Sequence, residues 1–451
     1  MKKIVALLLA AMMIVAAFAS CGGGGDNSGT DSGSGTNTSS GAGDDTTDTG
    51  FNVTADSFGG EEVGASLKVW GPSAYTKLLQ KQCDAFVKLF PDQKIKIKVV
   101  AQGEAEAATA LSQDPEAAAD VFGFPSDQLT TLVNSGSISP VNVKFASNIE
   151  QTDIESAVKG CKAKGPKDDE ALLYAFPETG NGYYLVYDKS VVSDKQAQKL
   201  EDVLAACKKA GKKFIMSAGD GFYSCMFIFT GGLSLEGLDK NGTQQFNDYD
   251  EQEVADTMKA FSTLMHEYTG TFTSEAVANI PSGFVSSKSR ASKCGAGIDG
   301  TWDSAADRDA LGKNFGAAKL PTINVNGEDK QIISMYGYKM IGVNSNSKYP
   351  ITSQILAYYL ASEECQKQRA EELGWDPTNK AVAESDIVKN DPALSALVEQ
   401  SKNAVPQSNL AMTIWTPLGT LGDKLNAKDT DPKTFDFTKL LQTTIASIKD
   451  E

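Results

Sequence analysis

The side chains with chemical reach in this 451-residue chain are aromatic and acidic rather than nucleophilic. Trp302 lies in Gly300-Thr301-Trp302-Asp303, where the flanking glycine and aspartate mark a loop and leave the indole within reach of a ligand. Trp415 is a second candidate platform, while Trp70 and Trp375 read as core. Aromatic faces combined with neutral or acidic hydrogen-bonding side chains suit a sugar, whose rings present apolar faces edged by hydroxyls. The one histidine, His266, would have to serve any Ser-His-Asp or Cys-His centre, and a multi-histidine metal site is excluded. Its setting, Leu264-Met265-His266-Glu267-Tyr268, reads as a helix surface. Lys and Arg total 42 against 58 Asp and Glu, a net charge of −16. That balance argues against nucleic acid as a partner, since phosphate binding rests on clustered basic residues. It favours a neutral ligand over a phosphate or carboxylate.

Two apparent motifs carry no chemistry. Gly295-Ala296-Gly297-Ile298-Asp299-Gly300 fits G-x-G-x-x-G, but Trp302-Asp303 succeeds it in place of an apolar helix, and it is not a first strand-to-helix turn. The tyrosine pairs Tyr183-Tyr184 and Tyr358-Tyr359 resemble iron-binding tyrosinates only in composition; the second pair sits in a helical run with Ile355 and Leu356 and reads as packing.

The elements that must position the candidate residues alternate between strand and helix. Residues 66–70 read as a strand, and Pro72 opens a helix. In it Tyr75, Leu78, Leu79, Cys83, Phe86, Val87 and Phe90 recur at steps of three and four, one buried face. Residues 94–100 alternate Lys with Ile and Val, a strand with one face covered. A short Ala-rich helix comes next, then a strand at 120–124 and a helix at 127–134 stopped by Gly136. Strand and helix at these lengths predict βαβ units and a parallel sheet, with the ligand at the carboxyl ends of the strands. Those ends are Gly71-Pro72-Ser73 and Phe124-Pro125-Ser126-Asp127.

The N-terminus gives a location. Lys2 and Lys3, an apolar run over 4–19 and the exit Phe18-Ala19-Ser20-Cys21 form a secretory signal, too short to span a membrane. Cys21 at the cleavage point resembles the lipobox cysteine of bacterial lipoproteins, which implies lipidation and anchorage to the outer face of the cell membrane. Residues 22–50 are Gly, Ser, Thr, Asn and Asp with Ala42 as the one apolar side chain, a composition that stays uncollapsed and tethers the globular remainder of the chain. The tether is expected to run over 21–64. Cys83, Cys161, Cys207, Cys225, Cys294 and Cys365 permit three disulfides. Their wide spacing and the length of the chain favour free thiols.

From residue 66 onward the chain resembles the extracellular solute-binding proteins of ABC importers, most closely the maltose/maltodextrin-binding group. The resemblance rests on an ordered set: LKVWG at 67–71, DVFGFPSDQL at 120–129 followed by NSGSISPVN, and GNGYYLVYDKSVV at 180–192. FYSCMFIFTGGLS at 222–234, GIDGTWDSA at 297–305, AAKLPTINVNGEDK at 317–330 and YGYKMIGVNSNSK at 336–348 continue it, and Trp415 closes it. The resemblance implies an α/β, two-lobed periplasmic-binding fold of type II with a hinge. One lobe would comprise 65–180 plus 340–402, the other 181–339 plus 403–451. It also implies a monomer that closes on a ligand between its lobes, presents it to a membrane permease and does no chemistry; no cofactor and no metal are expected.

Carried over residue by residue, the family's sugar site falls on Phe124 and Asp127 after the third strand, on Phe222 and Tyr223 as an aromatic pair, and on Trp302 and Trp415 as stacking tryptophans. Gln128 stands where the family has an arginine and Asn181 where it has a glutamate. Ser73 and Ala74 replace an Asp-Lys pair. The expected ligand is an oligosaccharide, α-linked glucose oligomers of three or more units in particular. A same-fold receptor for a polyamine or iron is the alternative, and it would need converging carboxylates or tyrosines. A secreted glycosidase is the third reading, which needs two carboxylates roughly 5–10 Å apart.

Overall fold

The computed structural model describes residues 51–286 and 291–450. The expected signal, Cys21 and the tether as far as residue 50 lie outside the described residues. Two mixed sheets, each flanked by helices, form two lobes. The first contains β1 (Ser66–Gly71), β2 (Lys96–Ala101), β3 (Val121–Pro125) and β4 (Phe176–Asn181). The second contains β5 (Tyr183–Asp188), β6 (Lys213–Met216), β7 (Phe272–Ser274), β8 (Cys294–Gly300) and β9 (Phe315–Ala318). β10 (Ser334–Val343) and β11 (Ala404–Pro406) belong to the first sheet and bring the chain back from the second lobe.

The first sheet runs β11-β10-β3-β1-β2, with β4 on the other edge of β10. β1 is parallel to β2 and to β3, as the alternating pattern predicts. The helix Thr76–Leu89 covers it with Leu78, Leu79, Cys83 and Phe86, while Tyr75 and Phe90 are buried at its ends. The second sheet runs β7-β6-β8-β5-β9. β5 is buried on both faces: Tyr183, Leu185 and Tyr187 enter one core, Tyr184 and Val186 another. All six described cysteines are buried and free. Among the described residues, no helix is long and apolar enough to cross a membrane.

The lobes meet where strands pass between them. Asn181-Gly182-Tyr183 joins β4 to β5, and β10 pairs with β11 at Ser334–Tyr336 before pairing with β3 and β4 over 337–343. Met335 lies in the second lobe's core and Met340 in the first's, so one strand serves both.

Two expected boundaries move. Residues 51–64, taken as the end of the tether, are docked: Phe58 is fully buried 4.9 Å from Phe90, and Phe51 packs on Phe90, Tyr358 and Tyr359. Two phenylalanines supply the apolar surface that the Gly/Ser stretch before them lacks. The helix Pro392–Ser401, assigned to the first lobe, instead buries Ala393, Ala396 and Leu397 against Tyr184, Val186 and Phe315 of the second. The chain therefore returns to the second lobe before residue 392. Its apolar stripe fits either lobe, and only tertiary packing decides which.

Candidate functional site

An aromatic wall stands on the second lobe. Gly300 ends β8, and a Cβ there would fall 2.2 Å from the Trp302 ring, so the absent side chain lets the indole fold back over the strand end. Phe222 lies 6.1 Å from Trp302 and 6.4 Å from Trp415, between the two indoles. Its backbone is set by Asp220, whose carboxylate accepts from the Phe222 amide at 2.9 Å and caps the short helix Gly221–Ser224. The helix Trp415–Leu425 presses close to that segment because Gly221 and Gly422 carry no side chain: a Cβ would come 2.4 Å from the Trp415 carbonyl oxygen and 1.7 Å from that of Ala218. All three rings are half-buried. Tyr223, beside them, is buried on Tyr183 at 4.9 Å.

A polar base sits where the lobes join. The Gln407 Nε2 donates to Asp127 Oδ1 at 3.1 Å, and its Oε1 accepts from Asn181 Nδ2 at 2.8 Å. One amide thus ties a residue after β3, a residue at the β4–β5 crossing and the strand β11. Burial raises the Asp127 carboxyl to about 6, although its own backbone amide, Trp415 and Gln407 pull it partly back. Beyond it, Lys339 on β10 pairs with Glu104 at 2.6 Å. Burial also raises Glu178 to about 7, against the opposing charge of Arg369. Asp303, after Trp302, is raised by burial and held down by Lys339. Among the described residues, no group of His, Cys, Asp and Glu is arranged to hold a metal ion.

Of the residues expected at the site, Asp127, Asn181, Phe222, Trp302 and Trp415 gather here, with Tyr223 in the wall's buried base. Three do not. Phe124 is fully buried in the first lobe's core, 5.5 Å from Phe122. The two phenylalanines share one face of β3, and Gly123 between them takes the face turned to Glu104 and Glu178. Gln128 is spent on the start of the helix Ala107–Gln113: its Oε1 accepts from the Ala108 amide in the first turn and its Nε2 donates to the Ala105 carbonyl just before it. Ser73 is exposed after β1, where its carbonyl accepts from Thr76 Oγ1. Gln407, Lys339, Glu104 and Glu178 were not foreseen. A lone lysine inside the apolar run of β10 was a visible signal; the other three gave none.

A cavity of about 910 Å³ borders this base and is lined by Tyr336, Tyr338, Ser156, Lys159 and Pro406. Side chains alternate along a strand, so Tyr336 and Tyr338 leave β10 on the face opposite Gly337 and Lys339. Gly337, Ser126 and Gln407 line the same cavity, so it reaches the polar base as well.

Residues 81–396 match the family model of the bacterial extracellular solute-binding proteins. The chain belongs to that family. As a solute-binding protein it is a receptor and not an enzyme. It is 28% identical over 380 residues to a galactooligosaccharide-binding protein of Bacillus subtilis (strain 168), covering 82% of this chain and 86% of that one. It is 24% identical over 376 residues to a maltooligosaccharide ABC transporter solute-binding lipoprotein of Streptococcus pneumoniae, strain ATCC BAA-255/R6, covering 80% and 84%. Its fold matches the ligand-free maltodextrin-binding protein of L. casei BL23 with a TM-score of 0.68 at 24% identity, over 85% of this chain and 99% of that one. The solute-binding protein has the two-lobed type II periplasmic-binding architecture, and the wall meets the base where the Trp415 side chain hydrogen-bonds Asp127.

Proposed function

We propose that this solute-binding protein is the oligosaccharide receptor of an ABC importer, anchored by a lipid on Cys21, which closes its lobes on the sugar and delivers it to a membrane permease. The observation that carries the reading is the run of rings Phe222, Trp302 and Trp415 joined through the Trp415–Asp127 hydrogen bond to the neutral-to-acidic base Asp127, Gln407 and Asn181. Rings with apolar faces stack on such a wall, and their hydroxyls meet side chains that accept and donate. The oligosaccharide names borne by the relatives support it, and "lipoprotein" in the pneumococcal name supports the anchor. A polyamine or iron receptor would present converging carboxylates or tyrosines where this cleft presents tryptophans.

The sugar class is malto-oligosaccharide in the first reading, with units of three or more stacked across Trp302 and Trp415. Phe124 no longer contributes, and Gln128 and Ser73 offer nothing to a maltodextrin. Galacto-oligosaccharide is the second reading, favoured by that loss and by the 28% relative. Calorimetry against maltotriose, longer maltodextrins and galacto-oligosaccharides tests both, and scattering with the bound sugar should show a smaller radius of gyration. Binding of a metal or polyamine and of no glycan would overturn the proposal. Intact mass of the native protein should show a diacylglycerol-sized increment on Cys21; an unmodified N-terminus would remove the anchor.

A further inference from the structure

Lys339 occupies an unusual position. Its ammonium lies 5.5 Å from the ring centre of Trp302, on the second lobe, and 5.1 Å from that of Trp375, on the first. Glu104 holds it at 2.6 Å, and both side chains are only 8% exposed. The pair is incompletely satisfied. Glu104 Oε1 and Glu178 Oε2 are buried and have no hydrogen-bond partner. Both turn to the bare face of Gly123, where a Cβ would lie 3.3 Å from the first oxygen and 3.5 Å from the second. The space they border with Gly123, Gly71 and Tyr75 is about 10 Å³, room for one hydroxyl or water and not for a ring.

Burial raises Glu178 to about 7, so its carboxyl can carry the proton that one of these oxygens needs; the group left to meet a ligand is the Lys339 ammonium with its Glu104 partner, set between the two tryptophans. A sugar hydroxyl both donates and accepts. Two neighbouring hydroxyls on a ring edge are therefore complementary to an ammonium and a carboxylate held side by side, and both hydrogen bonds would be charge-assisted. The ammonium now covers one face of Trp302. A ring that stacks on that face moves it to the ring's edge, where the hydroxyls lie, and the flexible lysine stem allows the movement.

We propose that Lys339, positioned by Glu104 between Trp302 and Trp375, selects the sugar by reading a pair of adjacent hydroxyls on the ring stacked against Trp302. The inference rests on the oligosaccharide reading and adds to it the residue that discriminates among glycans. It also makes Lys339 a coupler of the lobes: the strand carrying it is shared, one tryptophan comes from each side, and the ligand contacts it only when both are near.

The test uses the full mature protein, calorimetry and three proteins: wild type, Lys339→Met, and the double variant Glu104→Gln/Lys339→Met, which removes both charges and leaves none buried alone. Probes are maltotriose and galactotriose, then the monodeoxy derivatives of whichever binds. Loss of a charge-assisted hydrogen bond should weaken binding about 10- to 100-fold in both variants. Wild type should also prefer the parent trisaccharide over the derivative lacking the hydroxyl that is read, by about tenfold. That preference should vanish in the variants, with the melting temperature of the double variant near that of wild type. A purely structural lysine would weaken all probes alike and keep the preference. Variants that bind and discriminate as wild type does would overturn the role of Lys339 alone. Failure of wild type to bind these trisaccharides, longer maltodextrins or any other galacto-oligosaccharide would overturn the oligosaccharide reading and this role with it.

Discussion

Binding should depend on pH through Asp127. Its carboxyl is 4% exposed, and burial raises it to about 6. Below that value it is neutral, accepts weakly and competes as a donor; above it the carboxylate accepts strongly from Gln407 and from a sugar hydroxyl. If the ligand requires the ionised form, about a tenth of the protein is competent at pH 5 and nearly all of it at pH 7.5. Affinity should then fall about tenfold between pH 7.5 and pH 5. Burial also raises Glu178, to about 7, and Asp303 above its ordinary range, so the wild-type slope is not that of Asp127 alone. The informative comparison is therefore Asp127→Asn, which keeps an acceptor for Gln407 and removes the proton. Calorimetry at pH 5, 6 and 7.5 should show a steep wild-type profile and a flatter one for the variant. A variant whose profile runs parallel to wild type would refute the assignment, whatever its absolute affinity.

Three further outcomes rest on the geometry. Trp302→Ala should weaken the true ligand roughly 10- to 150-fold, the worth of about 1.5–3 kcal/mol of aromatic burial, with circular dichroism unchanged. Asp376, buried and hydrogen-bonded by Tyr336 at 2.7 Å, is raised by burial from 3.8 to about 6. The folded state then holds a proton that the unfolded state releases between about pH 4 and 6, so stability is lost as pH rises through that window, by up to about 3 kcal/mol. Asp376→Asn should recover about 1–3 kcal/mol at pH 7.5 and nothing at pH 4 in urea unfolding. Gly422→Ala should destabilise by about 1–3 kcal/mol despite a better helix propensity, because its methyl would collide with the Ala218 carbonyl; the same denaturation assay reads it.

The parallel core of the first lobe was legible because β1, β2 and β3 are separated by helices with clear apolar stripes. The tryptophan loop was legible because Gly300 and Asp303 bracket Trp302. Phe124 shows where such reading stops: its type and neighbours suit a platform, but strand alternation gave its face to the core and turned Gly123 toward Glu104 and Glu178. Gln128 fails for a related reason, since its amide satisfies a backbone turn that the sequence does not display. Lys339 and Glu104 lie far apart in the chain and meet only when β10 inserts beside β3. Gln407 comes directly after a proline in a short edge strand and becomes central only because three segments converge on it. Charge pairs and bridging amides of this kind are properties of tertiary register, which local patterns do not encode.

The placement of β10 has a consequence for how the molecule is made. It fills the middle of the first sheet, between β3 and β4, yet it is supplied by residues 334–343, after the whole second sheet has passed. A nascent chain that has emerged only as far as residue 333 leaves β3 and β4 with unpaired edges and no shared neighbour. The N-terminal half therefore has no finished structure to adopt while the chain is being synthesised or threaded through a membrane. Long-range strand insertion is slow, because loop closure must be met before the contacts that reward it exist. Folding is expected to wait for most of the chain and then to complete both lobes together, which leaves an exported polypeptide loose for as long as translocation needs it so.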